Sequence, residues 1–203
     1  MKKDLSTVIN HAKREVLQIH MRGIHVIRYV LRRYMVKFTE KELDAVLSNA
    51  LATNTDFLRW FLDQTKFKSD YYKYFWSRSD HPWGTINFER FDAQTSRVVF
   101  EKRQSETDIL VVLEDQRGDK VALHIENKLS DGHFTEYQAE MYPQRAKQWM
   151  NKDKFKNYTE FQTILVAPLL FYKRNIDKAR LFDCYISHEN IGKHLTEFTA
   201  RCT

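Results

Sequence analysis

Asp108, Glu126 and Lys128 have the types and spacing to do chemistry together. Residues 108–114 (Asp-Ile-Leu-Val-Val-Leu-Glu) and 120–128 (Lys-Val-Ala-Leu-His-Ile-Glu-Asn-Lys) are apolar runs around a polar stretch containing Gly118. This pattern predicts a β-hairpin. A turn at 115–119 sets Glu114 opposite Lys120, a complementary pair. The same register sets Asp108 opposite Glu126, Leu110 opposite His124 and Glu106 opposite Lys128. Side chains alternate with period two, so Asp108, Glu126 and Lys128 share one face at one end. A slip of one residue would carry Asp108 to the other face. Facing carboxylates repel, and Ile109, Val111, Leu123 and Ile125 lower the local dielectric. A hard divalent cation relieves that repulsion. Mg²⁺ suits the site because it is commonly held by one or two carboxylates, waters and a phosphate, and Mn²⁺ can substitute. Lys128 would then stabilise an attacked phosphate or position the water. The competing reading is a structural ion-pair cluster around Lys128.

Helices and strands must position this hairpin. Thr39 and Glu42 form a capping-box pattern, followed by an apolar stripe of Leu43, Val46, Leu47, Ala50 and Leu51. A break at 53–56 precedes a second short helix carrying Phe57, Leu58, Phe61 and Leu62. The aromatics of 66–83 (Tyr71, Tyr72, Tyr74, Phe75, Trp76 and Trp83) read as core under a long loop, with a base-stacking surface as the alternative. Strands are expected at 86–91, 97–100, 163–168 and 184–186. A helix is expected over 134–150, kinked or restarted by Pro143, and a last one over 189–198. Apolar central strands between helices predict an α/β sandwich with the sheet covered on both sides.

Thr107-Asp108, seventeen residues, then Glu126-Asn127-Lys128 resembles the signature of the PD-(D/E)XK nuclease superfamily. Gln138 and Tyr142, four apart on one helix face, resemble the Gln-x-x-x-Tyr element of its RecB-like branch. The resemblance covers about residues 39–190. It implies a restriction-endonuclease-like fold: a central mixed β-sheet flanked by helices. It also implies metal ligation by Asp108, Glu126 and the backbone carbonyl of Asn127, with Lys128 as the catalytic lysine. Gln138 would lie near the scissile phosphate, with Tyr142 supporting it at the nucleic-acid side. An acidic residue of the upstream helix belongs near the metal. Glu40 fits that spacing better than Glu42, which the capping box occupies. Thr107 stands where the motif's name has Pro.

Residues 1–38 lie outside the resemblance and form a basic helical extension to a nuclease-like domain over 39–203. They hold nine Lys/Arg and two acids, a charge of +7, against −1 for the rest. Val16, His20, Ile24, Ile27, Leu31, Met35 and Phe38 recur as the stripe of an amphipathic helix. The stripe needs a surface, either the domain body or a second copy of the chain in a homodimer. Arg14, Arg22, Arg28, Arg32 and Arg33 are expected to face phosphates. Reversing three of them to Glu should flatten the log affinity–log salt slope by about 0.9 per lost phosphate contact on duplex DNA. An unchanged slope in a folded triple variant would mean that these arginines merely solubilise the helix.

The 203 residues suit one domain with an appendage. Cys184 and Cys202 exclude a multi-disulfide framework and fit a reducing cytoplasm. Arg28 interrupts the most apolar run, and Asp4, His11 and Lys13 break any signal-like start, so no membrane association is expected. Five glycines and no Gly-rich phosphate loop argue against nucleotide-cradling folds. His20 and His25 are five apart, off the spacing of a helical metal pair. His124 reads as a sheet histidine, His133 as a loop residue, and Cys184 lacks a basic partner nearby in sequence. The leading expectation is Mg²⁺-dependent hydrolysis of nucleic acid, with DNA favoured. The same fold as a binding or interaction module is the alternative, and the intact Asp–Glu–Lys set argues against it.

Overall fold

The computed structural model describes residues 38–68 and 71–199. Arg14, Arg22, Arg28, Arg32, Arg33 and all of the apolar stripe except Phe38 lie outside the described residues.

Helix α1 (Glu40–Thr53) starts on the expected capping box: the Thr39 hydroxyl accepts from the Glu42 N–H, and Glu42 accepts from the Thr39 N–H at 2.7 Å. Asn54 ends α1 and caps α2 (Thr55–Asp63), accepting from the Phe57 N–H. The buried stripes of both helices, including Leu43, Leu47, Phe57 and Phe61, enter one core with Val111, Leu123 and Ile125. Each such side chain taken from water contributes about 1.5–3 kcal/mol.

The sheet has five strands in the order β1 (Tyr72–Arg78), β4 (Ile109–Asp115), β5 (Lys120–Asn127), β6 (Glu160–Ala167) and β7 (Cys184–Ser187). Pairing is antiparallel through β1, β4 and β5, and parallel from β5 to β7, so the sheet is mixed. Helices α1 and α2 cover one face. Helices α3 (Gln138–Trp149), α4 (Leu169–Arg174) and α5 (Ile176–Ala179) cover the other. The remaining strands, β2 (Trp83–Asp92) and β3 (Arg97–Glu106), pair with each other in a separate two-stranded ribbon. Its β2 edge is occupied by α3: the side-chain amides of Gln144 and Gln148 each exchange two hydrogen bonds with the backbone of Glu89 and Asn87. Strand-edge groups that would invite another chain are thereby satisfied. Among the described residues, no helix is long and apolar enough to cross a membrane.

Three expectations need correction. The aromatic stretch is only partly core and lies in a strand rather than under a loop: residues 72–78 form β1, with Tyr72, Tyr74 and Trp76 packed on the cores while Tyr71, Phe75 and Trp83 stay exposed. The helix expected from 134 begins at Gln138, after Tyr137 takes a left-handed φ of 56°. The helix expected over 189–198 is α6 (His188–Ile191) plus a separate 3-10 turn at Thr196–Phe198; the chain leaves α-geometry once Ile191 is buried.

Candidate active site

The β4–β5 register matches the sequence expectation: Ile109 pairs with Ile125, Leu110 with His124 and Glu114 with Lys120. Gly118, at a φ of 88°, makes the turn, a backbone angle that costs glycine least. Asp108 immediately precedes β4, and Glu126 lies near the end of β5. Asp108, Glu126 and Lys128 are all buried at one end of the hairpin.

Asp108 Oδ2 accepts the Asn127 N–H at 2.8 Å. Glu126 is fully buried. Its Oε1 meets Lys128 Nζ at 2.5 Å and Gln138 Nε2 at 2.7 Å, and its Oε2 accepts from the Tyr142 hydroxyl. Glu40 reaches this end of the sheet, accepting the Leu129 N–H at 3.1 Å and standing 3.8 Å from Lys128 Nζ. Glu42 closes its capping box instead. Gln138 and Tyr142 converge on Glu126, but Tyr142 is fully buried. Its expected place at the nucleic-acid side therefore gives way to support of Glu126 and the Ile125 carbonyl.

Two residues join the site that the sequence reading missed. Asp44 lies one turn after Glu40, is fully buried, and accepts from Asn127 Nδ2 at 2.8 Å. Its signal was an acid on the buried side of α1, four residues after Glu40 and next to Leu43. His81 precedes the ribbon with a left-handed φ of 51°. It stands 3.3 Å from Asp108 Oδ1 and 3.6 Å from Asp44 Oδ2. No local pattern marks it. The Asn127 side chain turns away from Glu126, joining Asp44 to His188, whose Nε2 is 2.8 Å from Asn127 Oδ1. His124 is a buried sheet histidine whose Nε2 bonds Tyr158 at 2.9 Å while its Nδ1 finds no partner; burial holds it neutral, with its pKa well below the ordinary range.

Burial, then repulsion from Asp108, raises Glu126 to about 8 and Asp44 to about 7. The Asp108 hydrogen bond raises His81 to about 9. Burial opposes the Lys128 charge, yet Glu126 and Asp108 outweigh it and raise its pKa above the usual lysine range. The acids are therefore held against two cations. A carboxyl whose folded pKa exceeds its unfolded one loses stability as pH rises between the two. A raised histidine likewise loses its contribution as pH rises through its folded pKa. Glu126, Asp44 and His81 thus act in one direction from about pH 5 to about 9. Asp108→Asn removes repulsion from both acids and keeps an oxygen to accept from His81, giving up only the charge of that part-exposed pair. Its metal-free Tm at pH 8 should exceed wild type by about 2–4 °C, the effect of ~1 kcal/mol in a domain of this size. The gain should shrink at pH 5. A lower Tm at pH 8 would mean that the lost His81–Asp108 pair outweighs the carboxylate repulsion.

Among the described residues, no group of three His, Cys, Asp or Glu side chains is arranged to hold a metal ion by itself. The donor chemistry nevertheless fits Mg²⁺. Asp44, Asp108 and Glu126 offer hard oxygens, and Asp44 Oδ2 is buried without a hydrogen-bond partner. Mg²⁺ keeps waters and a substrate phosphate in its remaining positions. No protein-family model, curated protein or solved structure matches the chain.

Proposed function

We propose that the chain is a Mg²⁺-dependent nuclease of the PD-(D/E)XK type, on a restriction-endonuclease-like sheet, hydrolysing phosphodiester bonds of DNA. The observation that carries the reading is the juxtaposition of Asp108 and Glu126 at one buried end of the hairpin, with Lys128 Nζ against Glu126. A purely structural ion pair would need one acid for Lys128. This site sets Glu126, Asp108 and Glu40 around it, and burial raises the pKa of Glu126 and of Asp44, which stands beside Asp108. Titratable groups whose pKa values burial and a specific charged neighbour shift together mark a candidate functional site.

Asp108, Glu126 and the Asn127 carbonyl would hold the ion, and Mn²⁺ would serve in its place. When bound, the ion lowers the pKa of an attacking water and offsets charge on the phosphate. The rest is done by the chain. Lys128 remains protonated throughout the neutral range and offers a fixed positive charge for the negative charge that grows on the phosphate. Glu40 keeps that ammonium from swinging away, and Tyr142 and Gln138 set the orientation of Glu126. His81 would balance Asp108 and Asp44 until the substrate arrives.

The test is incubation of the purified full chain with supercoiled plasmid in Mg²⁺, Mn²⁺ or EDTA. Nicked or linear product in either metal and none in EDTA is the expected result. An intact plasmid, with parallel single-stranded DNA and RNA substrates also intact, would overturn the reading.

A further inference from the structure

Beside the carboxylate pair, a cleft of about 250 Å³ opens between the foot of the β2–β3 ribbon and α3. Arg145 lines it and is fully buried. Its guanidinium lies 3.8 Å from the Tyr142 ring centroid, and Nη1 donates to Ser105 Oγ at 2.7 Å. Nε and Nη2 are buried with no hydrogen-bond partner, and Arg145 makes no carboxylate ion pair among the described residues. The Tyr142 ring and the Trp149 ring, 5.5 Å away, offset part of its charge but leave Nε and Nη2 unbonded, and unmade charged hydrogen bonds are costly when buried. The fold retains such a group most readily where a ligand completes it.

We infer that this cleft is a phosphodiester subsite seated on Arg145, separate from the paired carboxylates. A guanidinium meets a phosphate with two parallel N–H donors, the match that Arg145 lacks within the chain. Gln104 and Thr135 add neutral hydrogen-bonding groups to the lining, beside the Ser105 hydroxyl that Arg145 already bonds. Glu106 is the acid on the wall, and its side chain is exposed to solvent. At the rim, Trp83 is 57% exposed and offers a face on which a base can stack. Gln138 connects the two places, since it lines the cleft and donates to Glu126. A strand whose one phosphate meets the carboxylates would thus set a neighbouring nucleotide in the cleft. The identity of the ligand as nucleic acid rests on the nuclease reading, but the binding test does not require turnover.

The full chain in EDTA is titrated with 5′-phosphorylated dithymidine, pTpT, and separately with inorganic phosphate, following thermal denaturation. Saturable stabilisation by pTpT, stronger than by phosphate, is expected. Arg145→Met should weaken pTpT binding by at least about tenfold, the equivalent of one lost charged hydrogen bond. Gln104→Glu, at an exposed position and so tolerated by the fold, should weaken it comparably by placing a negative charge on the wall. It decides the matter if Arg145→Met does not fold. Absence of a pTpT effect on wild type, stabilisation by phosphate equal to that by pTpT, or undiminished affinity in the folded variants would each overturn the subsite. A chain that binds pTpT through Arg145 yet leaves plasmid intact would keep the subsite and lose the nuclease reading. Cleavage of plasmid without pTpT binding would do the reverse.

Discussion

Alanine at Asp108 or at Glu126 is expected to remove Mg²⁺-dependent cleavage by at least about 10³-fold, the equivalent of ~4 kcal/mol of barrier. Each substitution deletes one of the two facing carboxylates, and the remaining one cannot hold the ion and orient it together. The fold should survive. Asp108 sits just outside β4. Loss of Glu126 lowers Tm by leaving Lys128 with Glu40 at 3.8 Å as its ion-pair partner, but that partner and the intact cores on both sheet faces keep the chain folded at assay temperature. Far-ultraviolet circular dichroism should therefore match wild type. Glu42→Ala is the control, because Glu42 belongs to the cap of α1 and not to the site. It should cost about 1 kcal/mol of stability and leave turnover unchanged. Full cleavage by purified Asp108→Ala and Glu126→Ala would end the assignment.

Lys128→Met should produce the largest loss of stability. Removing one partner of a buried ion pair typically costs about 3–5 kcal/mol, because the other charge remains buried. At about 2–4 °C per kcal/mol for a domain of this size, Tm should fall by roughly 6–20 °C at pH 8. The loss should be smaller at pH 6. Glu126, already raised to about 8, can take a proton there and cease to need the ammonium. Mn²⁺ should recover part of the lost Tm at pH 8 by supplying positive charge to Glu126 and Asp108. A pH-independent drop would instead assign Lys128 a packing role, and an unchanged Tm would place its ammonium outside the carboxylate cluster.

The hairpin of β4 and β5 was legible because its information is local. A charge pair beside a glycine turn sets one register, observed as far as Ile109 against Ile125, and that register brings Asp108 and Glu126 to the same end of the hairpin. The capping box of α1 was legible for the same reason: Thr39 and Glu42 satisfy each other's backbone within one helical turn. That box also separated Glu42 from Glu40, the glutamate that the structure brings to Lys128. The strand β1 was not legible, since its aromatics read as core whether or not they pair with β4.

The electrostatic character of the site was decided by the tertiary structure. Asp44 and His81 come from the first helix and from the foot of the ribbon, and neither lies near Asp108 or Glu126 in sequence. Their charge states follow from burial and from each other, quantities that exist only once the chain has closed around them. The same holds for Arg145: its place on α3 follows from helical period, but its unpaired, buried guanidinium depends on what the ribbon brings alongside. Periodicity and local pairing thus determined which residues share a face. Desolvation and long-range contact determined which of them carry unrelieved charge.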